Sequence, residues 1–416
     1  MTQLQHLGDA AWLKEGEVAR LLALLNRDGE EARVVGGAVR NALLGLPVGE
    51  IDVATTALPE EVVRRVAAAG GKAIPTGIEH GTVTVIIDHR PVEVTTLRED
   101  VETFGRKAKV AFGRDWAADA QRRDFTINAL SVSADGTVHD YVGGIGDIAV
   151  RRVRFIGDPQ RRIEEDYLRI LRFFRFHAHF AEGAPDRAGL HACIASRAGL
   201  ETLSRERVRM EMLKLIVASR ATPTLAVMEE SGLLGLVLGG VPYLASFENM
   251  IKVEGAHGAA PDAVRRLGAL AVWVAEDAER MTQRLRLSNA ESERLLALET
   301  WWRVTPQSVA QTGRSLLYRL GPQTFTDRVL LAWTRSQGGA ADHAWLALAQ
   351  LPQRWTAPAF PLKAADFTAR GIKPGPVLGA ALRAAEAAWV AADFPAEPAA
   401  LEAIADRASR EVIDRA

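Results

Sequence analysis

The sequence predicts an α+β fold, with an N-terminal head built on a mixed or antiparallel sheet and an all-helical remainder. Short β-rich runs, each bounded by Gly, Pro or Asp, predict strands in the first 155 or so residues. These runs are Arg33–Val35, Glu50–Ala54, Thr82–Ile87 and Val92–Thr96. After Arg161 the hydrophobic period becomes that of helices, as in Tyr167–Phe176 and Arg205–Ile216.

Length and breaker residues predict the domain organisation. A chain of 416 residues with 48% apolar residues accommodates two to four domains at about 100–200 residues each. We predict a head at 1–155, a helical neck at 156–220, a helical body at 221–344 and a helical tail at 345–416. Breaks are expected at Thr222-Pro223-Thr224 and at Gly239–Pro242, and Ser288 with Glu291 forms a predicted capping box.

Composition excludes several classes of protein. The chain has 51 Lys and Arg against 52 Asp and Glu, which argues against a uniformly basic nucleic-acid coat but leaves room for a local basic cleft. A single cysteine, Cys193, excludes an internal disulfide framework and suits a reducing compartment. No stretch approaches the roughly 18 apolar residues of a membrane span, and the first residues lack the features of a signal peptide. We therefore expect a cytoplasmic protein that has no membrane partner.

The first chemical motif is a strand that runs into two glycines and then into a helix. In Val34–Arg40 the backbone amides of Gly36 and Gly37 can hold a phosphate, and Arg40 adds a charged fork one turn later. The alternative is a tight strand-to-helix turn. A dinucleotide-binding motif is excluded because the glycines are adjacent.

Two acids follow this motif. Glu50 and Asp52 alternate with apolar residues, so both carboxylates point to one face of the predicted strand. Carboxylates and substrate phosphate oxygens are the ligands that Mg²⁺ prefers, so the pair predicts a magnesium site. Glu93 alternates in the same way on a later strand and is a possible third ligand, or a surface acid. The alternative for the pair is a solvated strand face.

A row of charged residues on a predicted helix points to base recognition. Asp166, Arg169 and Arg172 are spaced i, i+3 and i+6, which brings neighbouring members within reach of one another and of one cleft. A carboxylate beside a guanidinium matches the amino group and ring nitrogen of adenine and cytosine, and mismatches guanine and uracil. The alternative is a salt bridge on an exposed helix. A second pair, Arg207 and Glu211, is interpreted as structural.

Charge is concentrated around this row. From residue 151 to residue 175 there are eight arginines against four acids, in a chain whose net charge is −1. The expected counter-charges are a triphosphate and an RNA backbone.

These motifs together resemble the family of tRNA nucleotidyltransferases (CCA-adding enzymes) and bacterial poly(A) polymerases, of class II type. The resemblance covers roughly residues 30–216. Besides the glycine and acid motifs it rests on segments 122–129, 140–147, 154–159, 165–172 and 206–214. It departs from the family at Glu50, where Asp is usual, and at Asn41, which is often Asp.

The resemblance implies a head of the polymerase-beta-like nucleotidyltransferase fold. It also implies that Arg123 and Asp124 contact the ribose and phosphates of the nucleotide, and it extends the row on the helix to Arg175. From the residues alone, Asp124 could instead cap the turn that follows it. The family has a mobile loop where this chain has Leu97–Trp116.

The predicted function is template-independent addition of C and A to the 3′ end of tRNA. CTP and ATP would be the substrates, Glu50 and Asp52 would hold catalytic Mg²⁺, and the body and tail would bind RNA. A poly(A) polymerase or an A-adding enzyme of the same fold is the nearest alternative. A catalytically inactive RNA-binding protein is an alternative of another class. The sequence leaves the oligomeric state undetermined.

Overall fold

The computed structural model describes residues 6–77, 81–87, 90–104 and 107–414. The chain divides into two compact units, one up to Val237 and one from Leu238. The first unit contains all the strands described and the second is helical, which confirms the α+β prediction. The finer division into head, neck, body and tail stays a prediction.

The first unit is built on a seven-stranded mixed sheet in the order β3-β4-β5-β2-β1-β8-β9. Its strands are β1 (Ala32–Val35), β2 (Asp52–Thr55), β3 (Lys72–Gly77), β4 (Thr82–Ile87), β5 (Arg90–Thr96), β8 (Ser131–Val132) and β9 (Val138–His139). Among the described strands of this sheet, only the β2–β5 pair is parallel, and the other pairs are antiparallel.

The centre of this sheet is apolar. Val34 pairs with Val53, and Val53 pairs with Val94, and all three side chains are buried. Because successive side chains on a strand alternate between faces, the neighbours of these valines point the other way. That arrangement brings Asp52, at the start of β2, to the face opposite Val53.

A separate two-stranded antiparallel sheet pairs β6 (Arg98–Phe104) with β7 (Lys107–Phe112). The resemblance implies a mobile loop over Leu97–Trp116. The described backbone of this segment forms these two strands instead of an irregular loop, and its mobility stays a prediction. β6 is rich in charged residues and shows little of the apolar alternation that identifies a strand covering a core, whereas β7 alternates two lysines with Ala108 and Val110, a pattern from which no strand was predicted. Residues 105 and 106 lie outside the described residues.

Helices pack against the sheet and continue the first unit. They are α1 (Ala11–Lys14), α2 (Gly16–Leu25), α3 (Gly37–Leu43), α4 (Pro59–Ala68), α5 (Trp116–Gln121), α6 (Gly144–Ala149), α7 (Pro159–Glu165), α8 (Leu168–Phe180), α9 (Arg187–Ala195), α10 (Arg205–Ile216), α11 (Ala221–Glu230) and α12 (Leu233–Leu238). The predicted break at Thr222-Pro223-Thr224 was wrong, since these residues lie in the first turn of α11. Proline is tolerated there because the first turn needs no intrahelical N–H donor.

The second unit consists of α13 (Leu244–His257), α14 (Ala263–Ala271), α15 (Ala275–Leu285), α16 (Asn289–Leu296), α17 (Pro306–Arg335), α18 (His343–Ala349), α19 (Leu351–Arg354), α20 (Ala364–Thr368), α21 (Pro376–Ala391) and α22 (Pro398–Ile413). The predicted break at Gly239–Pro242 is confirmed between α12 and α13. The capping box at Ser288 is confirmed, since its backbone N–H donates to the carboxylate of Glu291 at 2.7 Å. None of the helices described is long and apolar enough to span a bilayer.

Candidate active site

A cavity of about 610 Å³ opens in the first unit, beside the end of β1 and the start of β2. Its walls come from the glycine turn, the start of β2, the turn after α5, and helices α8 and α10. The described residues that line it are Gly36, Gly37, Arg40, Glu50, Asp52, Arg122, Arg123, Asp124, Asn128, Asp166, Leu168, Arg169, Arg172, Arg175, Phe176 and Arg207. Every site residue predicted from the sequence, except the optional Glu93, therefore lines one cavity.

The glycine turn joins β1 to α3. Gly36 has φ +72°, a conformation that favours glycine, and its N–H donates to the carbonyl oxygen of Leu130 at 3.0 Å. A Cβ at this position would lie 3.4 Å from Nη1 of Arg123. The turn therefore allows a cationic side chain to lie close against the backbone.

Arg40 is anchored from three sides. Its Nη1 donates to Oδ1 of Asn128 at 2.5 Å, its Nη2 donates to Oδ1 of Asn41 at 2.8 Å, and its guanidinium lies 3.9 Å from the centre of the Phe180 ring. Burial, followed by the positive charge of Arg175, lowers the pKa of Arg40 to about 10. The residue remains charged at neutral pH, and an anion in the cavity would relieve the repulsion.

The acids lie together as predicted, although Glu50 precedes the strand instead of belonging to it. Asp52 is the parallel-register partner of Glu93 on β5, which places the two side chains on one face. Burial, then the charges of Glu93 and Glu50, raise the pKa of Asp52 against the opposing effect of Arg123. Among the described residues these three carboxylates form no ion pair.

This donor set fits a divalent cation. Burial and the negative charges of Glu93 and Glu50 disfavour the ionised form of Asp52, and a bound cation would stabilise that form. No group of three or more His, Cys, Asp or Glu in a metal-binding arrangement occurs among the described residues. Mg²⁺ needs only one or two carboxylates when phosphate oxygens and water complete its shell, so Glu50 and Asp52 suffice.

Asp124 is a buried residue of the cavity wall that accepts four hydrogen bonds. Its Oδ1 accepts from the backbone N–H of Phe125 at 2.8 Å and from Nδ2 of Asn128 at 3.1 Å, while its Oδ2 accepts from Nε and Nη2 of Arg172 at 2.8 and 2.5 Å. Burial alone would raise the pKa of Asp124, but Arg172 and these hydrogen bonds outweigh it and lower the pKa. Asn128, which was not predicted as a site residue, thus links Asp124 to Arg40.

Arg123 is held beside Asp124. Its Nε and Nη2 donate to Oδ2 of Asp119 at 3.3 and 3.1 Å, and its Nη1 donates to the carbonyl oxygen of Asn128 at 3.4 Å. These contacts fix a guanidinium in the wall of the cavity.

The predicted base-reading row is brought together, but not as one helical ladder. Asp166 has extended backbone at the junction of α7 and α8, and α8 begins only at Leu168. Its carboxylate pairs with Arg207 of α10 at 2.6 Å, whereas Arg169 pairs with Glu165. The expectation that Asp166 and Arg169 lie on one helix was therefore wrong, although both line the cavity.

Glu211 joins the far end of the row to α10. Its Oε2 accepts from Nε of Arg175 at 2.5 Å, and its Oε1 lies 3.8 Å from Nη1 of Arg172. Arg207 and Glu211 were interpreted as one structural pair, but each of them forms an ion pair with a residue outside α10. The i, i+4 spacing concealed this, because it is equally typical of an intrahelical salt bridge.

Two families match the chain. Residues 32–154 match "Poly A polymerase head domain", and residues 186–247 match "Probable RNA and SrmB- binding site of polymerase A".

Curated relatives match over most of its length. The "CCA tRNA nucleotidyltransferase 1, mitochondrial" of Danio rerio is 34% identical over 379 residues, which cover 89% of this chain and 85% of the relative. The "CCA-adding enzyme" of Limosilactobacillus fermentum is also 34% identical, and the match covers 88% of this chain and 91% of the relative.

A solved structure extends the likeness to the fold. The Bacillus stearothermophilus CCA-adding enzyme in complex with CTP superposes with a TM-score of 0.75 at 28% identity, covering 96% of this chain and 98% of the other.

Proposed function

The chain belongs to the family of CCA-adding enzymes and poly(A) polymerase heads, and on that premise we propose that it adds C and A from CTP and ATP to the 3′ end of tRNA. The family membership makes it a nucleotidyltransferase. The observation that supports CCA addition most is one cavity that contains the acid pair together with Asp166 and Arg169. Such a cavity can transfer a nucleotide and also choose its base without a template.

Glu50 and Asp52 are the residues that would hold Mg²⁺. When bound, the ion supplies Lewis-acid polarisation of the α-phosphate and neutralises charge on the departing pyrophosphate. The longer side chain of Glu50 still offers a hard oxygen ligand, so its departure from the usual Asp is compatible with this role.

Arginines of the cavity bind the triphosphate. Among the described lining residues seven are arginines and four are acids, so the cavity has a net positive charge. Gly36 and Gly37 let the phosphates approach the backbone, and Arg40 and Arg123 supply charge beside that turn. The 3′ hydroxyl of the RNA then attacks the α-phosphate, and the bond to pyrophosphate breaks.

Base choice falls to Asp166 and Arg169. The carboxylate accepts from the exocyclic amino group that adenine and cytosine share, and the guanidinium donates to the adjacent ring nitrogen. Guanine or uracil would leave buried polar groups unpaired, which a closed site can convert into strong discrimination. Arg172 and Arg175 border the same region and are assigned to the nucleotide.

We assign RNA binding to the body and tail, residues 221–344 and 345–416. One feature in support is the exposed ring of Trp302, 59% exposed, over which the guanidinium of Arg303 lies at 4.8 Å. Aromatic rings and arginines are the side chains on which unpaired bases stack. A cytoplasmic location remains our expectation, and the Danio rerio relative is named as a mitochondrial protein.

The test is incubation of the purified protein with tRNA that lacks its last three nucleotides, with ATP, CTP or both. Incorporation of C followed by A, ending after three nucleotides, is the expected result. A long A tract would identify a poly(A) polymerase, and A addition only to tRNA that already ends in CC would identify an A-adding enzyme. Retained RNA binding without any incorporation would identify an inactive RNA-binding protein.

A further inference from the structure

Asp166 and Arg169, which together would read the base, each bind a different partner. Oδ2 of Asp166 accepts from Nη2 of Arg207 at 2.6 Å, and Oδ1 accepts from the backbone N–H of Leu168 at 3.1 Å. Nη1 of Arg169 donates to the carbonyl oxygen of Arg162 at 2.7 Å and to the carboxylate of Glu165. Two residues of opposite charge, three positions apart, are thereby kept from neutralising each other.

These partners leave part of each side chain available. A carboxylate oxygen can accept a second hydrogen bond, so each oxygen of Asp166 retains acceptor capacity. Both hydrogens of Nη1 on Arg169 have acceptors, which leaves the N–H groups of Nε and Nη2 for a ligand. A direct pair between Asp166 and Arg169 would use the same atoms and close the surface that a base has to contact.

Arg207 reaches Asp166 from another helix. It lies on α10, which packs against α8, and its side chain is 27% exposed and lines the cavity. Its charge-assisted hydrogen bond to Asp166 competes with the hydrogen bond that Arg169 could donate to the same carboxylate. The position of the Asp166 carboxylate thus depends on a residue 41 positions further along the chain.

We propose that Arg207 is a positioning residue for base selection, which holds the carboxylate of Asp166 away from Arg169 so that acceptor and donors stay separated. This inference rests on the proposed function, and it concerns how the same site selects its nucleotide. Glu165 pairs with Arg169 and holds its guanidinium away from Asp166. Arg207, on α10, does the same for the carboxylate of Asp166.

The test measures kcat/KM for ATP, CTP, GTP and UTP on tRNA acceptors at fixed salt, in the full-length protein. Arg207→Gln is expected to reduce the preference for A and C over G and U about tenfold, which corresponds to one hydrogen bond to a charged group. Arg207→Lys, which keeps the charge but replaces the planar guanidinium with a compact ammonium group, should fall between wild type and Arg207→Gln. The matched control is Lys214→Gln, which removes the same charge from an exposed position on α10 and should leave all ratios unchanged.

A double variant separates positioning from a structural role. In an Asp166→Ala background, Arg207→Gln should change the ratios by less than about twofold, because the carboxylate that it positions is gone. An equal loss for all four nucleotides in Arg207→Gln, or a full additional loss of selectivity in the double variant, would overturn the proposal. Wild-type protein that adds C and A, with unchanged selectivity in the Arg207 variants, overturns only this inference; wild-type protein that adds neither overturns the proposed function as well.

Discussion

The guanidinium of Arg172 donates two hydrogen bonds to one carboxylate oxygen of Asp124, a residue 48 positions earlier in the chain. This ion pair joins the turn after α5 to α8. Because the Asp124 carboxylate is buried, removal of its partner should destabilise the folded protein. Arg172→Met should lower the free energy of unfolding by about 3 kcal/mol, since it leaves a buried carboxylate without its cation. The cost lies at the lower end of the usual range because the Arg172 side chain is 32% exposed.

Urea denaturation of both proteins measures this cost. Arg90→Ala is a matched control, because it removes an arginine that pairs with Glu17 at 3.6 Å from an exposed position, 77% accessible. Its cost should stay below about 1 kcal/mol, as is usual for surface ion pairs. Equal costs for the two substitutions would contradict the structural importance of the Asp124–Arg172 pair.

The buried imidazole of His177 predicts a loss of stability on acidification. Burial, with a contribution from Arg220, lowers the pKa of His177 to about 4 from 6.5. Between these two pH values the unfolded chain binds the proton and the folded chain does not, so stability falls as the pH drops from 6.5 towards 4. Over that window the loss should be about 3 kcal/mol at 1.36 kcal/mol per pH unit.

Unfolding curves of wild type and His177→Gln at a series of pH values isolate this effect. The substitution has a cost of its own, but that cost does not depend on pH, and the difference between the proteins should narrow as the pH falls. A difference that stays constant from pH 7 to pH 4 would show that His177 does not titrate in this way.

The acid pair predicts a separate response of activity to substitution. Asp52→Asn should reduce incorporation at least about a hundredfold, because metal-ion stabilisation of the transition state contributes several kcal/mol. Glu50→Asp should keep substantial activity, since it restores the usual residue of the family. Incorporation assays across a range of Mg²⁺ concentrations measure both.

Glu50→Gln is the decisive control for this site. If it runs at the wild-type rate with saturating Mg²⁺, Glu50 is not a ligand. Glu93→Gln tests the optional third acid, and because Glu93 does not line the cavity we expect a smaller effect than for Asp52→Asn.

If Asp166 and Arg169 select the base, substituting either one should change the ratios of kcat/KM among the four nucleotides. Asp166→Ala or Arg169→Ala should reduce the preference for A and C over G and U roughly ten- to a hundredfold, the value of one hydrogen bond to a charged group. Affinity for tRNA should change little, because we assign RNA binding to the body and tail. If kcat/KM falls by one factor for all four nucleotides, these residues bind phosphate and do not read the base.

The exposed ring of Trp302 predicts a role in tRNA binding and none in the choice of nucleotide. Trp302→Ala should weaken tRNA binding by about five- to a hundredfold, the usual loss when one base loses its stacking partner. The ratios among nucleotides should remain those of wild type, and Trp302→Phe should retain most of the affinity. Unchanged affinity in filter-binding or fluorescence titrations would remove Trp302 from the RNA-binding surface.

The sequence predicted the central strands of the sheet better than its edge strands. β4 and β5 lie close to their predicted bounds because their apolar residues alternate with polar ones, and β1 does so although all four of its residues are buried. β3 was not predicted, since Pro75 and Gly77 interrupt its pattern and its register shifts between Ile74 and Gly77. Edge strands with such irregularities carry too little periodicity to be identified from one sequence.

Most of the residues that line the cavity were named from the sequence, whereas the pairing of their side chains was not predicted. Motif spacing identified Asp166, Arg169 and Arg172 because they are close in sequence. The partners of Asp166 and Arg175 lie on α10, and nothing in a single sequence indicates which distant helix packs against α8. Asn128 and Arg207 both lie within the motif segments 122–129 and 206–214, and their polar side chains in those segments are the signal that could have identified them.

The order in which the cavity's parts occur along the chain has a consequence for its synthesis. The glycine turn and the two acids leave the ribosome first, whereas Asp166 follows more than a hundred residues later and Arg207 later still. A nascent chain halted after residue 154, where the match to the head family ends, has both acids but none of the groups assigned to base choice. The groups assigned to base choice are therefore the last part of the cavity to be synthesised, and a chain that terminates before Asp166 contains the two acids without the proposed base-reading pair.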